Sequence, residues 1–295
     1  MTVENTMPES TSTLENGAKP HPGRHFTIIE PGRTASNYWR DLWRFRELFL
    51  VLAWRDVTVR YKQSIIGVGW ALIRPLLTMV VFTVIFGRIA GLPSPGGVPY
   101  TIMVFAAMLP WFLFSSLLGD ASGSVAGAGG MISKIYYPRL INPFAKSIVS
   151  LIDFSISLAL LAVLMVAYAF APDWRVLFLP VFILLAVAAA MGPALLLAAL
   201  NVRYRDFRFI VPFIIQFGLY VSPVGFSSAV VPEAWRWVYG LNPLVAVIEG
   251  FRWCLLRGEA QLGLWVLPGL GVVALMMWAG LAYFKRTERT FADVI

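Results

Sequence analysis

Six strongly apolar segments occupy most of residues 65–284, and each is close to the length that crosses a bilayer. A hydrocarbon core about 30 Å thick requires about 20 helical residues, and lipid cannot satisfy the hydrogen bonds of an irregular backbone. The sequence therefore predicts an all-α membrane protein with six transmembrane helices. The predicted spans run approximately over residues 67–89, 100–118, 143–170, 176–200, 209–220 and 264–284.

The composition of the chain agrees with this prediction. Hydrophobic residues make up 58% of the sequence and charged residues 14%, and the mean hydropathy is +0.72. Soluble domains contain about 45–50% apolar and about 25% charged residues. The links between the apolar segments are short, so we expect neighbouring helices to run antiparallel.

Lysine and arginine are concentrated on one side of the predicted topology. With the N-terminus inside and six crossings, 18 of the 24 basic residues fall on the cytoplasmic side. The outer loops receive only Arg175, Arg236, Arg252 and Arg257. Because cytoplasmic loops are enriched in basic residues, both termini are predicted to be cytoplasmic. A basic fringe facing anionic lipid also explains the net charge of +8 without a nucleic-acid partner.

The N-terminal region divides into two parts before the membrane domain. Residues 1–25 are polar and aperiodic, which predicts a disordered tail, and residues 26–64 form a cytoplasmic segment. Within that segment, large apolar residues and arginines alternate at helical spacing from Asn37 to Ser64. This pattern predicts an amphipathic interfacial helix, acting either as a membrane anchor or as a lever that also touches a cytoplasmic partner. The membrane domain follows over residues 65–284, and a cytoplasmic tail over 285–295.

The sequence offers little for catalysis or for metal binding. Cys254 is the only cysteine, which excludes an intramolecular disulfide and a cysteine-based metal site. His21 and His25 both lie in the polar tail, so the membrane region lacks a histidine base. We therefore expect no enzymatic activity in this chain.

Four carboxylates lie within the predicted membrane region. They are Asp120, Asp153, Glu249 and Glu259. Charge inside hydrocarbon is costly, so such groups mark a proton relay or cation site, or else they are paired. We favour pairing with Arg74 or Arg88, or a side chain that snorkels from the helix end to the interface, because the four carboxylates are spread over both sides of the membrane.

Glycines recur every fourth residue at Gly119, Gly123 and Gly127. The surrounding run GDASGSVAGAGGMISK lacks the Gly-Lys-Ser/Thr ending of a nucleotide phosphate loop. On a helix the three glycines would form a smooth packing seam. The backbone that approaches this seam belongs either to the same chain or to a second copy in a dimer.

Two predicted inner connections combine aromatic and basic residues. In KIYYPRLINPF (residues 134–144), Pro138 and Pro143 are expected to break the helix and to present Tyr136, Tyr137 and Arg139 to the cytoplasm. That composition is typical of a protein interface, although a lipid-facing turn is the alternative. The connection NVRYRDFR (residues 201–208) is a second candidate docking surface.

The segment before the last span predicts two short re-entrant helices on the outer side. PEAWRWVYG (residues 232–240) and PLVAVIEGFRWCLLR (residues 243–257) each begin with proline, and Asn242 is a favourable N-cap. Both are too short or too charged to cross the membrane, which makes them candidate gate elements. Their aromatic residues form either an interfacial belt or a sugar-stacking rim, and they are Trp235, Trp237, Tyr239, Phe251 and Trp253.

Four runs in the same order carry a family resemblance. They are WRFRELFLVLAWRDVTVRYKQSIIGVGWALIRPLL, SKIYYPRLINP, ALNVRYRDFRFIVPFIIQFGLYVSPV and LNPLVAVIEGFRW. Through them the chain, from about Phe26 to its C-terminus, resembles the permease subunits of bacterial ATP-binding-cassette (ABC) exporters of cell-surface polysaccharides. These type 2 permeases include the exporters of O-antigen, capsule and teichoic acid.

The resemblance implies a homodimer in the bacterial inner membrane that works with two copies of a cytoplasmic ATPase. ATP and magnesium would be bound by that partner, and this chain would hold no cofactor. The implied cargo is a lipid-linked polysaccharide, moved outward through a channel at the dimer interface. A type 2 permease for a drug, a lipid or another small cargo is the alternative function. A proton-coupled carrier and a membrane transferase are disfavoured, because clustered acids and a catalytic base are both missing from the pattern.

The resemblance also assigns roles to residues of this sequence. The interfacial helix of the family falls on Tyr38–Gln63 and includes Trp39, Trp43, Trp54, Arg55 and Arg60. Its coupling element falls on Lys134–Leu140. The predicted coupling residues are Lys134, Tyr136, Tyr137, Pro138 and Arg139, with Arg203, Arg205 and Asp206 of the second connection. Because aromatic faces bind sugar rings without demanding one hydrogen-bond geometry, the predicted channel lining is Trp111, Phe112, Phe114, Phe217 and Tyr220.

Overall fold

The computed structural model describes residues 38–62, 68–132, 134–204, 206–257 and 262–291. Every regular element within these ranges is helical, which confirms an all-α membrane protein. The predicted disordered tail over residues 1–25 lies outside the described residues.

The described chain begins with two helices where the sequence predicts one interfacial helix. Helices α1 (Tyr38–Arg44) and α2 (Arg46–Lys62) follow one another. Backbone hydrogen bonds from Phe45 to Asp41 (3.0 Å) and from Phe49 to Phe45 (3.1 Å) carry the helical pattern across their junction. Leu52 and Ala53 are buried, whereas Trp54 is 73% exposed. The segment therefore has one face packed on the bundle and one large apolar face open.

Within the described ranges, five helices are long and apolar enough to cross a membrane. Helix α3 (Val68–Phe82) continues as a π-helical stretch over Thr83–Ile89, and α4 (Tyr100–Gly127) follows it. After the short α5 (Gly129–Ile132) come the long helices α6 (Ile141–Ala167) and α7 (Leu179–Arg203), which both pack mainly against α4. The last long helix, α11 (Leu267–Thr287), comes after three shorter α-helices.

The sixth apolar helix is shorter than a full span. Helix α8 (Phe207–Val221) has 15 residues, which corresponds to about 22 Å at 1.5 Å per residue. A hydrocarbon core is about 30 Å thick, so by length the described residues contain five spans and one shorter apolar helix. Helices α9 (Glu233–Tyr239) and α10 (Pro243–Leu255) then complete the set.

Helix α4 lies at the centre of the bundle and packs against α6, α7 and α10. It ends at Gly127, nine residues beyond the predicted end of the second span at residue 118. Three internal glycines disfavour a helix by about 1 kcal/mol each. Burial of Ala121, Ser122 and Val125 against the neighbouring helices explains why the helix continues.

Helices α7 and α11 approach one another through a pair of glycines. A Cβ atom added to Gly192 would lie 2.7 Å from the backbone carbon of Met276, and one added to Gly280 would meet the carbonyl of Gly192. A side chain at either position would push the two backbones apart. Close backbone packing of this kind was predicted for the glycines of α4. In the structure it occurs between α7 and α11 instead.

Candidate functional site

Arg60 of α2 joins two long helices of the bundle. Its guanidinium lies 3.2 Å from the carboxylate of Asp120 on α4 and 2.6 Å from that of Asp153 on α6. The neighbouring Tyr61 donates a hydrogen bond to Asp153. The prediction that Asp120 and Asp153 are paired is confirmed, but their partner is Arg60 and not Arg74 or Arg88. Two adjacent residues of α2 thus attach it to α4 and α6 together.

A second ion pair joins α2 to the beginning of α6. The buried Asp56 carboxylate lies 3.0 Å from the Arg55 guanidinium and 3.1 Å from the Lys146 amino group. Because Asp56 lies about one helical turn before Arg60, α2 is held at two successive levels. A single exposed pair contributes less than about 1 kcal/mol, but the buried carboxylate depends on its partners.

Tyr61 is held in its neutral form. Burial, and then the hydrogen bond to the Asp153 carboxylate, raise the pKa of the Tyr61 phenol. The phenol therefore remains a hydrogen-bond donor to Asp153 throughout the physiological pH range.

The 134–140 turn between α5 and α6 differs in part from its prediction. Tyr136 is 51% exposed, and Lys134 is exposed beside it. Tyr137, by contrast, is 3% exposed and accepts a hydrogen bond of 3.0 Å from the Asn142 amide. Pro138 is buried as well. The prediction that Tyr137 faces the cytoplasm is therefore wrong, because its ring belongs to the core.

Arg139 is attached to the end of the last helix. Its backbone N–H donates to the Glu288 carboxylate at 2.6 Å, and its guanidinium donates to the Glu288 carbonyl oxygen. The guanidinium also lies 5.8 Å from the Phe291 ring centre. Arg139 thus fastens the 134–140 turn to the C-terminal end of α11 and is not a freely presented side chain.

Pro143 does not break a helix. It is the third residue of α6, and backbone N–H groups in the first turn of a helix make no hydrogen bond within that helix. The absence of an N–H in proline therefore costs α6 no hydrogen bond. In the second connection, α7 continues to Arg203, whose guanidinium lies 5.5 Å from the Tyr204 ring centre. Asp206 precedes α8, and Arg205 lies outside the described residues. The connection is therefore much shorter than the eight residues expected.

Helices α9 and α10 lie where the sequence predicts two short helices, and their placement on the outer side stays a prediction. The side chain of Asn242 accepts a hydrogen bond from the Leu244 N–H at 3.0 Å, which confirms the predicted N-cap. Trp235 and Trp237 are exposed, and Tyr239 is half-buried. Trp253 is also half-buried and packs on Phe178, with ring centres 5.8 Å apart.

Phe251 is completely buried and meets Phe154 of α6 edge-on, with ring centres 6.0 Å apart. Phe251 therefore does not belong to an exposed aromatic rim in this structure. Its role is to pack α10 against the bundle.

Arg252, which the sequence predicts as an outer-loop charge, is buried in the fold. Its side chain is 3% exposed and lies 3.0 Å from the buried Glu249 carboxylate. The guanidinium also donates to the Phe226 carbonyl oxygen at 3.0 Å. The Tyr100 hydroxyl donates to the next carbonyl upstream, that of Gly225, at 2.5 Å. Arg252 thus holds the irregular segment 222–227 against α10, and the Glu–x–x–Arg spacing was the available signal.

The five predicted channel-lining residues fall into two groups. Trp111 and Phe114 are buried with ring centres 5.7 Å apart, and Trp111 packs over Gly218 of α8. Phe217 and Tyr220 are exposed on α8, and Phe112 borders a cleft described below. The structure thus places Trp111 and Phe114 in the core and the others at a surface or cleft.

Three clefts surround the second half of α4. The first, of about 490 Å³, lies among α2, α3, α4 and α6 and is bordered by Arg60, Arg74 and Asp153. The second, of about 530 Å³, lies between α2, α4 and α6, and the third, of about 360 Å³, between α4, α7 and α8. Gly119 borders all three.

The α4 glycines face these clefts instead of another backbone. Among the described residues, no atom lies within 4 Å of a Cβ added to Gly123 or Gly127, and Gly119 has only the Ile215 side chain at 3.8 Å. Close packing of this seam within the chain is therefore wrong. Packing across a dimer stays a prediction.

No cluster of three potential histidine, cysteine or carboxylate ligands is placed to hold a metal ion in the part of the chain that the structure describes. The chemistry of the described residues is that of ion pairs between helices and of open, mixed polar and apolar clefts.

The fold and its contacts define a polytopic helical membrane protein in which α2 is fastened to the bundle by ion pairs. Residues 47–256 match the family described as ABC-2 type transporter, and the chain belongs to this family. Members of this family are membrane subunits of transporters.

Three curated relatives resemble most of the chain. An O-antigen export system permease protein RfbA of Myxococcus xanthus is 25% identical over 258 residues, which cover 87% of this chain and 98% of that protein. Two Klebsiella pneumoniae proteins of the same name are 25% and 24% identical. Each match covers 84% of this chain and 95% of the relative.

Proposed function

We propose that this chain is the membrane-spanning subunit of an ATP-driven exporter of a surface polysaccharide of the O-antigen class. The observation that carries the proposal is the extent of the matches. Three proteins named as O-antigen export permeases are similar to this chain over 95–98% of their own lengths. The similarity thus covers a whole permease and not a single shared segment.

The proposal includes a separate ATPase. The sequence has no Gly-Lys-Ser/Thr phosphate loop, so ATP and magnesium would be bound by a cytoplasmic partner. We propose two copies of that partner on a homodimer of this chain, in the bacterial inner membrane, with both termini cytoplasmic. The cargo would be the polysaccharide on its lipid carrier.

The contacts of α2 support a mechanical route from the partner to the bundle. Arg60 and Asp56 attach α2 to α4 and α6 through ion pairs of 2.6–3.2 Å. Closure of the ATPase would push on α2 and on the exposed part of the 134–140 turn. Because packed helices move as rigid bodies, the displacement would reach the clefts beside α4 without local unfolding.

The open aromatic surface of α8 supports a path for the glycan. Phe213 and Phe217 pack with ring centres 5.2 Å apart, and both are exposed, as is Tyr220. Aromatic faces hold sugar rings through their apolar C–H surfaces. In the homodimer, this surface would contribute to the wall of the channel.

Deletion of the gene in its own host tests the proposal. The deletion strain should lose the surface polysaccharide and should accumulate the glycan on its lipid carrier inside the cell. The wild-type gene should restore export only together with its partner ATPase. Normal surface polysaccharide with new sensitivity to a drug would contradict the proposal and would favour a small-molecule cargo.

A further inference from the structure

The four arginines predicted on the outer side differ in their charge partners. Two of them, Arg236 and Arg252, are each ion-paired with a glutamate three residues earlier in the sequence. Among the described residues, no ion pair joins Arg175 or Arg257 to a carboxylate. The described carboxylate nearest to Arg175 in sequence is Asp173, and it accepts a hydrogen bond of 2.7 Å from the next backbone N–H. The positive charge of these two arginines therefore lacks compensation within the described ranges.

Arg175 and Arg257 meet at one corner of the fold. The Arg175 guanidinium donates to the carbonyl oxygen of Arg257, and the Arg257 Nε donates to the carbonyl oxygen of Ala171 at 2.8 Å. Each guanidinium also lies against an aromatic ring. The carbon at the centre of the Arg175 guanidinium is 5.3 Å from the centre of the Trp253 ring, and that of Arg257 is 4.6 Å from the centre of the Phe170 ring. These contacts hold two cations side by side and leave most of their N–H groups available.

The backbone of Arg257 adopts a conformation that favours glycine. Its φ angle is +56°, in the left-handed region, directly after the C-cap of α10 at Leu256. Glycine usually occupies this position after a helix, because it has no Cβ atom to clash there. The sequence even supplies a glycine one residue later, at Gly258. Since an arginine at this position strains the backbone, its side chain should contribute something that glycine would not.

An exposed apolar stripe leads from this corner along the membrane span. Arg175 is the second residue of the span Trp174–Arg203, so it lies at one end of the apolar segment. Trp174, Leu177, Val181 and Leu184 recur at intervals of three and four residues, which is typical of one helical face, and all four are exposed. Tryptophan is enriched at the depth of lipid headgroups. The two arginines are therefore at headgroup depth beside a surface suited to acyl chains.

We infer that Arg175 and Arg257 bind the phosphate of an anionic membrane phospholipid, whose acyl chains lie along the exposed stripe of α7. Guanidinium groups match phosphate oxygens with parallel N–H donors, and an anionic headgroup compensates the two charges. The apolar stripe favours a lipid over free phosphate, because only a lipid would cover it. The site lies on the side predicted to be outer, opposite the basic cytoplasmic fringe. The inference does not depend on the identity of the cargo.

Native mass spectrometry of the purified full-length chain tests the site. Dioleoyl phosphatidylglycerol, which is anionic, and dioleoyl phosphatidylcholine, which has no net charge, would be added separately in mild detergent. Arg175→Gln/Arg257→Gln should bind phosphatidylglycerol about tenfold or more weakly than the wild type, because one charge-assisted hydrogen bond corresponds to about a factor of ten. Arg236→Gln removes an arginine that already has a carboxylate partner, and this control should bind like the wild type.

Two results of this experiment would overturn the inference. One is equal affinity of the wild type and the double variant for phosphatidylglycerol. The other is a wild type that binds the anionic and the uncharged lipid equally well. An Arg236→Gln protein that loses as much affinity as the double variant would also contradict it, because the effect would then follow net charge and not this site.

Photocrosslinking locates the lipid on the wild-type chain, so it remains decisive even if the double variant does not fold. A phosphatidylglycerol with a photoreactive group in one acyl chain should crosslink within residues 174–184, and a large excess of inorganic phosphate should not remove these crosslinks. An absence of crosslinks in this stretch would overturn the inference, because the stripe would then be covered by something other than lipid, such as a second copy of the chain. Loss of the crosslinks with inorganic phosphate would overturn it in favour of a site for the free anion.

Discussion

Removal of the Arg252 side chain should be among the most destabilising single changes in the protein. Arg252 and Glu249 are 3% and 2% exposed, and Arg252 also donates to the carbonyl oxygen of Phe226. Arg252→Met preserves much of the volume but leaves a buried carboxylate and a carbonyl without their partner. Breaking one side of a buried ion pair costs about 3–5 kcal/mol, because the remaining charge is uncompensated.

A second change should recover much of that loss. In Glu249→Gln/Arg252→Met the buried charge is gone, and replacement of a whole buried ion pair is often neutral. Glu249→Gln alone should fall between the wild type and Arg252→Met. The order of the three variants is therefore a stronger test than any single value.

The exposed pair on α9 is a matched control. Arg236 and Glu233 have the same three-residue spacing, with atoms 3.5 Å apart, but Glu233 is 89% exposed. Arg236→Met should cost less than about 1 kcal/mol. The unfolding of purified protein in detergent, followed by circular dichroism against denaturant, would measure all four variants. Arg252→Met within about 1 kcal/mol of the wild type would refute the reasoning, because a buried unpaired carboxylate costs more than that.

Three further predictions follow from the described contacts. Tyr136→Ala should abolish the stimulation of the partner ATPase by cargo and leave the stability of the protein unchanged. Tyr137→Phe should leave that stimulation intact but lower the stability by about 1 kcal/mol, because a buried hydrogen bond is lost. ATPase assays and thermal unfolding would separate the two effects. Gly192→Ala should destabilise the α7–α11 contact, while Gly127→Ala should be neutral or stabilising by up to about 1 kcal/mol, as read from unfolding midpoints. Folding raises the pKa of the Tyr61 phenol, so the contribution of Tyr61 to stability is present below pH 10.0 and declines above pH 10.0 as the phenol of the unfolded state ionises. Between about pH 10 and 11, the Tyr61→Phe protein should therefore lose less stability than the wild type. An equal loss in the two proteins would contradict this assignment.

The membrane helices could be predicted well because a single physical demand determines them. Lipid requires long apolar helices, and the hydropathy pattern records this demand locally. The N-cap of α10 was equally local, since Asn242 and Leu244 are two residues apart. The predicted ends of helices were less accurate where the burial of side chains outweighs the intrinsic helix propensity of the residues, as at the glycine-rich end of α4.

Contacts between distant residues could not be predicted from local pattern. Arg60 lies 60 residues from Asp120 in sequence, and Arg139 lies 149 residues from Glu288. Nothing near Arg139 indicates that its partner is at the other end of the chain. For the same reason, Tyr137 looked like a surface residue beside other polar and aromatic residues, although its hydroxyl belongs to a buried contact with Asn142.

The attachment of Arg139 to Glu288 has a practical consequence for anyone who handles this protein. Fluorescent reporters and affinity tags are commonly fused to a C-terminus, where they are assumed to be mechanically silent. A bulky fusion placed directly after Phe291 would crowd the Arg139–Glu288 contact that fastens the 134–140 turn. A tagged exporter that assembles normally but hydrolyses ATP without moving cargo would be the expected symptom.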